Sequence, residues 1–237
     1  MHLYIDLHIH SCLSPCADDE MTPNNIMGMA MIKGLNIIAI TDHNTTDNIS
    51  SFLELQDDYG IEVIPGIEVT SKEEVHILGY FLNMDDAKNA GNTFKSSLPH
   101  KKNVPEIFGH QLLMDKQDNI VGELDDLLIA ATSYNLYEVV KIIRDCGGIA
   151  VPAHINRGNN GIIQNQGFVP EDLMFNTLEY SRTLPIESSI LKGKHKLISS
   201  DAHYLGDILE KDAALSYDVK DKFDLLNLLK DKENYAN

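Results

Sequence analysis

Six side chains of cation-binding type fall at or just past the ends of different predicted strands: His10, His43, Glu68, His154, Asp201 and His203. His8 lies two residues before His10, and His76 lies near the start of another strand. Imidazole and carboxylate together suit zinc, manganese and iron. Two histidines at i and i+2 on a strand point the same way and can share one cation. Glu68 ends the apolar run Val63-Ile64-Pro65-Gly66-Ile67, where a carboxylate is costly to bury unless paired or metal-bound. Two cations about 3.5–4 Å apart that share a hydroxide stabilise both attack and departure in phosphoryl displacement. Asp42 beside His43, and Asp6 near His8, are placed to orient ligand imidazoles from behind. Arg157, three residues past His154, and Arg182, just past Leu178-Glu179-Tyr180, also follow strand ends, and arginine suits bidentate phosphate contact.

Periodicity predicts the elements that must carry these residues. Leu3–His10 alternates at period two, setting Ile5, Leu7 and Ile9 on one face and Asp6, His8 and His10 on the other. Thr22-Pro23 opens a helix through Asn25–Lys33 that stops at Gly34. Asn36–Ile40 is a strand running into Thr41-Asp42-His43, followed by a helix over about Asn48–Tyr59 and strands Glu62–Val69 and Val75–Leu82. The rhythm then breaks over residues 83–135, where Gln111–Met114 and Asn119–Gly122 pair as a hairpin. We read that stretch as an insertion or lid within a single domain spanning 1–237. Helix Leu136–Cys146, strands Ile149–Ala153, Thr177–Tyr180 and Lys196–Ser199, and an amphipathic helix Lys220–Lys232 complete the chain.

Strand–helix alternation predicts parallel strands with right-handed crossovers, hence an α/β fold, as an open sheet or a closed barrel. Setting 83–135 aside leaves too few residues for the roughly 250 of an eight-unit barrel, so a closed form has about seven units. Such a barrel gathers its strand ends on one rim.

Composition bounds the partners. The 237 residues carry 36 acidic and 19 basic side chains, a formal charge of −17, with ten histidines. Duplex nucleic acid and anionic lipid need clustered basic residues, so neither is expected, and the acidity favours a small phosphorylated substrate. Three cysteines are too few for a disulfide framework, and Cys12-x3-Cys16 lacks the second pair of a thiolate zinc site. With no basic-then-apolar leader and no apolar run of about 18 residues, a cytoplasmic protein is expected.

These motifs resemble the PHP (polymerase and histidinol phosphatase) superfamily of metal-dependent phosphoesterases. The matching segments are Asp6-Leu7-His8-Ile9-His10-Ser11, Ile40-Thr41-Asp42-His43-Asn44, Gly66-Ile67-Glu68-Val69, Val75-His76-Ile77-Leu78-Gly79, Pro152-Ala153-His154 and Ser199-Ser200-Asp201-Ala202-His203. The resemblance implies a distorted (β/α)7 barrel and a trinuclear site that hydrolyses a nucleotide or other small phosphomonoester by a metal-bridging hydroxide. It implies one metal on His8, His10, Glu68 and Asp201, a second on Asp18, His43 and His203, and a third on Glu68, His76 and His154. Asp18 stands in Asp18-Asp19-Glu20-Met21-Thr22-Pro23, where Asp19 or Glu20 could take its place. The donor types suit about three divalent ions of zinc, manganese or iron. An amidohydrolase-type metal hydrolase shares the His-x-His and the late strand-end aspartate, although no strand-end lysine is present here. A catalytically silent PHP module is the other alternative.

Overall fold

The structure is a computed structural model that describes residues 2–212 and 215–230. In chain order its elements are β1 (His2–Ile9), α1 (Pro23–Ile32), β2 (Ile37–Ile40), α2 (Ile49–Leu53), α3 (Gln56–Tyr59), β3 (Glu62–Thr70) and β4 (His76–Tyr80). There follow α4 (Met84–Ser96), α5 (Pro105–Phe108), β5 (Leu112–Met114), β6 (Ile120–Glu123), α6 (Leu136–Asp145) and β7 (Ile149–Pro152). The chain continues through α7 (Ile162–Gln166), β8 (Thr177–Glu179), β9 (His195–Leu197), β10 (Ser216–Asp218) and α8 (Lys222–Leu229). Of the expected C-terminal helix, residues 231 and 232 lie outside the described residues.

A mixed α/β architecture results, with a curled six-stranded sheet in the order β10-β1-β2-β3-β4-β7. A separate parallel pair, β8-β9, continues the curl. The two sheets meet near one rim. On one side Ile155 N donates to Glu179 O at 2.9 Å; on the other, Ala202 bridges β1 through His10 N to Ala202 O and Ala202 N to His8 O. The rim is thus drawn together by a few hydrogen bonds rather than a strand ladder, whereas the other end of β1 pairs with the antiparallel β10. Inside the curl lies a core of Ile5, Leu7, Ala39, Ile64, Leu78, Tyr80 and Val151, joined by Leu225, Leu226 and Leu229 of α8.

Two departures from the sequence reading matter for function. First, β4 runs antiparallel to β3, pairing Thr70 with His76, whereas parallel strands were expected. Residues 71–75 are the whole connection, and a parallel crossover needs a dozen or more. The start of β4 therefore lies beside the end of β3, and His76 reaches the same rim as the strand-end residues. Second, the register of β1 against β2 shifts between Asp6 and Ile9. Ile5 and Leu7 pack inside the curl, while Ile9 packs with Ile38, Ile40 and Met27 beneath α1 and α2. A register slip of one residue exchanges faces, so the single face expected for Ile5, Leu7 and Ile9 does not exist.

Residues 83–135 begin with α4, which packs Ala87, Ala90 and Phe94 against Phe81 and α6 like any crossover helix. Apart from Phe94 its buried face consists of small residues, Ala87, Ala90 and Gly91, which is why hydrophobic periodicity did not reveal it. The β5–β6 hairpin is present and antiparallel. At its turn Asp118 caps α1 from a distance: its carboxylate accepts from Asn24 N (3.0 Å) and Thr22 Oγ1 (2.8 Å), while Thr22 makes no side-chain cap bond of its own. Asp118→Ala should cost about 1 kcal/mol, the usual loss of a helix cap. It should lower Tm by about 2–4 °C. An unchanged melting curve would show that α1 does not depend on this carboxylate. Among the described residues, no helix is long and apolar enough to cross a membrane.

Candidate metal centre

Seven of the nine expected ligands meet in three overlapping groups: His8, His10, Glu68 and Asp201; His10, His43 and His203; and His43, Glu68 and His76. Within each group, one donor atom per residue lies within 4.8 Å of the others. Glu68, only 1% exposed, stands at the middle. Its Oε1 is 2.9 Å from His76 Nδ1, 3.2 Å from His154 Nε2 and 3.3 Å from His8 Nε2. Its Oε2 is 3.1 Å from His43 Nδ1 and 3.3 Å from His10 Nε2. His154, outside the three groups, therefore still touches the central carboxylate. Asp201 Oδ1 adds contacts to His8 Nε2 at 3.2 Å and His10 Nε2 at 3.1 Å.

Asp18 stands apart. Its N–H donates to His203 O, and its Oδ1 accepts from Glu20 N at 2.9 Å, so only its backbone is tied to the cluster. Asp19 pairs with His110 at 2.8 Å, and Glu20 is exposed; neither belongs to a donor group.

The ring nitrogens turned away from the centre are held by neighbours. His8 Nδ1 lies 3.0 Å from Glu179 Oε2, His10 Nδ1 lies 2.9 Å from Ser14 Oγ, and His203 Nδ1 lies 2.8 Å from Asp201 O. A metal-binding imidazole characteristically donates its second N–H to such an acceptor, which fixes the tautomer and aims the other nitrogen. Asp42 acts through Ser14: its Oδ1 accepts from Ser14 Oγ and Ser11 N, both at 2.7 Å. Asp6, expected near the His8 ring, instead accepts from the Ser200 and Leu209 N–H groups at 3.0 and 2.9 Å. It anchors the strand-end segment that carries Asp201.

His43 Nδ1 and His154 Nδ1 are buried without a hydrogen-bond partner. His43 Nδ1 approaches Glu68 at 3.1 Å, but not with hydrogen-bond geometry. Buried, unpartnered imidazole nitrogens are costly on their own. His43 Nδ1, which faces Glu68, and the mixed imidazole and carboxylate donors around it fit divalent cations of the zinc, manganese and iron type. His154 and Asp201 both have positive φ, 28° and 54°. Such strained conformations cost about 1–3 kcal/mol each and cluster at functional sites.

The electrostatics divide the histidines. Burial opposes charge on His8, but Glu179, Asp201 and Glu68 outweigh it and hold the pKa well above the usual value. His10 is likewise raised to about 9 against burial, by Asp201 and Glu68. Burial pushes His43 well below its usual value, with His10, His76 and His203 adding to the effect. His203 falls to about 4 through burial and the neighbouring His10. Glu68 stays ionised despite burial because His76, His8 and His43 surround it.

A cavity of about 210 Å³ opens over the cluster, lined by His43, Glu68, His76, His154, Asp201 and His203 together with Arg157, Asn159 and Asn160. Arg157 forms an ion pair with Asp201 at its wall. Arg182 lies elsewhere, paired with Asp212 at 3.1 Å on the surface. A larger cavity of about 620 Å³, lined by Phe168, Phe175, Leu178 and Lys192 among others, contains none of the metal-type cluster. Cys12 and Cys16 join no donor group. Sequence reasoning missed Glu179 and Ser14. Glu179 carries the same signal as Glu68, a carboxylate ending an apolar strand; Ser14, in a loop, carries none.

Known proteins share this fold in part. The chain is 29% identical over 155 residues to a 5'-3' exoribonuclease of Haemophilus influenzae, covering 64% of this chain and 48% of that protein. It spans about half the length of the first curated relatives it matches. The lesion-specific endonuclease EndoQ of Pyrococcus furiosus superposes with a TM-score of 0.66 at 19% identity, over 86% of this chain and 49% of that one. Endonuclease Q bound to a 27-mer duplex with an abasic lesion at its active site gives 0.59 at 18% identity, over 86% and 50%. A Bifidobacterium adolescentis protein assigned as a metal-dependent phosphoesterase gives 0.61 at 18% identity, over 95% of both chains. These findings overturn the exclusion of duplex nucleic acid drawn from net charge, since this fold serves an enzyme that holds a duplex. Net charge averages the whole surface, whereas a substrate meets the local field of the site. The family model for the PHP domain matches residues 6–237. The chain belongs to the PHP domain family.

Proposed function

We propose that the protein is a metal-dependent phosphoric ester hydrolase that acts on a phosphomonoester of the nucleotide class at a site for three divalent cations. The observation that carries this reading is the set of three donor groups sharing His10, His43 and Glu68, set beneath a cavity with an arginine in its wall. His8, His10, Glu68 and Asp201 would hold one cation. His43 and His203 would hold a second, with Asp18 or His10 completing the set, and Glu68, His76 and His154 a third. When bound, such ions polarise phosphoryl oxygens and lower the pKa of water.

The chain's own groups do the rest. Glu68 keeps its charge in the buried cluster and serves two donor groups at once. Glu179, Ser14 and the Asp201 carbonyl hold the rings in place. Arg157 presents a guanidinium suited to phosphate oxygens. The cavity is smaller than the roughly 300–1,000 Å³ of pockets that enclose a whole small molecule. The reacting phosphoryl group therefore enters while the remainder of the ester extends outward, which admits both a mononucleotide and the end of a chain.

The test is phosphate release from p-nitrophenyl phosphate, mononucleotides and 5'-phosphorylated oligonucleotides after reconstitution with Mn²⁺. Fully loaded protein that releases phosphate from none of them would overturn the reading. About one ion per chain, instead of three, would remove the three-cation assignment. Arg157→Ala should raise KM for a phosphomonoester by about tenfold or more, the scale of one lost charge-assisted hydrogen bond. Unchanged kinetics would exclude Arg157 from phosphate binding.

A further inference from the structure

Glu179 is 2% exposed at the end of β8 and contacts two of the histidines that surround Glu68. Both carboxylate oxygens face His8 Nδ1, at 3.2 and 3.0 Å. Oε2 also accepts the His154 N–H at 2.8 Å, and the Glu179 carbonyl accepts from Ile155 N at 2.9 Å. One residue thus grips a ring on β1 and the backbone just past β7. The His8 and His154 rings lie stacked, 5.9 Å between centroids at an interplanar angle of 18°, and both point Nε2 at Glu68 Oε1. His154 has a φ of 28°, a conformation that persists only where the surroundings hold it.

We propose that Glu179 is a positioning residue that sets two cation-binding histidines at once, fixing the His8 ring through Nδ1 and the strained His154 backbone through its N–H. An imidazole held this way presents Nε2 in the correct tautomer and is a more basic ligand. Because β8 and β9 form a sheet of their own, Glu179 is also the polar link between that pair and the donors on β1 and β7. A change at this residue should therefore disturb cation binding through both His8 and His154, although Glu179 itself belongs to none of the three donor groups.

The inference rests on reading the cluster as a cation site but not on turnover, so its test uses binding and spectroscopy. Zn²⁺ affinity of the full chain is measured by chelator competition, and the His8 Nδ1–H resonance is followed by ¹⁵N–¹H NMR of the zinc-loaded protein, assigned by its loss in His8→Gln. Glu179→Gln keeps shape and loses charge. It should weaken Zn²⁺ binding about 10–100-fold and move the His8 resonance upfield. Wild-type affinity with an unmoved resonance would overturn the proposal and leave Glu179 as a backbone acceptor only. Should Glu179→Gln fail to fold, the wild-type spectrum decides. A His8 Nδ1–H signal at the low field of a carboxylate-bonded imidazole supports the role, and its absence there excludes it.

Discussion

Glu68→Gln should abolish most of the activity while leaving the fold recognisable. The substitution preserves volume at a site where the carboxylate is within 3.3 Å of five imidazoles. It removes the one ligand common to the His8–His10–Asp201 and His43–His76 groups. An amide binds a cation far more weakly than a carboxylate, so two positions lose affinity together. The expected fall in Mn²⁺-supported phosphate release is at least about 10²–10³-fold, the scale for one preorganised electrostatic group. Bound metal should fall with it. The metal-free fold should lose less than the cost of a broken buried pair, about 3–5 kcal/mol. His8 and His10 can release protons once their partner is neutral, and Asp201 still faces both. Activity within tenfold of wild type, with full metal content, would exclude Glu68 from the centre.

The second large effect is on pH. In the metal-free protein, His8 is held well above the usual histidine pKa and His10 at about 9, so both are protonated at neutral pH. Only a neutral imidazole can ligate, so a cation bound through this pair must displace two protons. The sign follows: affinity rises with pH by up to about 100-fold per unit, and less steeply above about 9, where His10 no longer holds its proton. His43, well below its usual value, and His203, at about 4, are already neutral at pH 7 and add no proton release there. Titration calorimetry in buffers of different ionisation enthalpy reads the proton count directly. A count near zero between pH 6.5 and 8 would show that His8 and His10 are neutral before the cation arrives.

Much of the site was legible because metal chemistry restricts residue types so severely. His8-x-His10, Thr41-Asp42-His43, Glu68 and Asp201-x-His203 each put an imidazole or carboxylate where a strand runs out, and a parallel arrangement gathers such ends. The order of motifs sufficed to indicate the family before any contact was known. The existence of most strands was legible for a similar reason, since buried strands such as Ile37–Ile40 are short apolar runs bounded by turns. Helix α4 was not, because a helix that packs closely buries alanine and glycine, which leave a weak periodic signal. There Gly91 faces Thr46 so closely that a Cβ would come within 2.5 Å of its hydroxyl.

What the sequence by itself determined is the inventory: which side chains could ligate, the alternation of strands and helices, and the family. Tertiary structure decided which of them meet. His76 begins its strand and joins residues that end theirs, because a five-residue connection turns β4 back along β3. His8 and His10 face the centre while Ile9 leaves the interior core, because β1 shifts register after Asp6. Asp18, a ligand only by the resemblance, keeps its carboxylate on Glu20 N. The His8 ring is held by Glu179, 171 residues away, rather than by the nearby Asp6. In each case the deciding quantity is a direction or distance between elements remote in sequence. Residue type and spacing fix what a side chain can bind, but only backbone register and packing fix where its lone pair points.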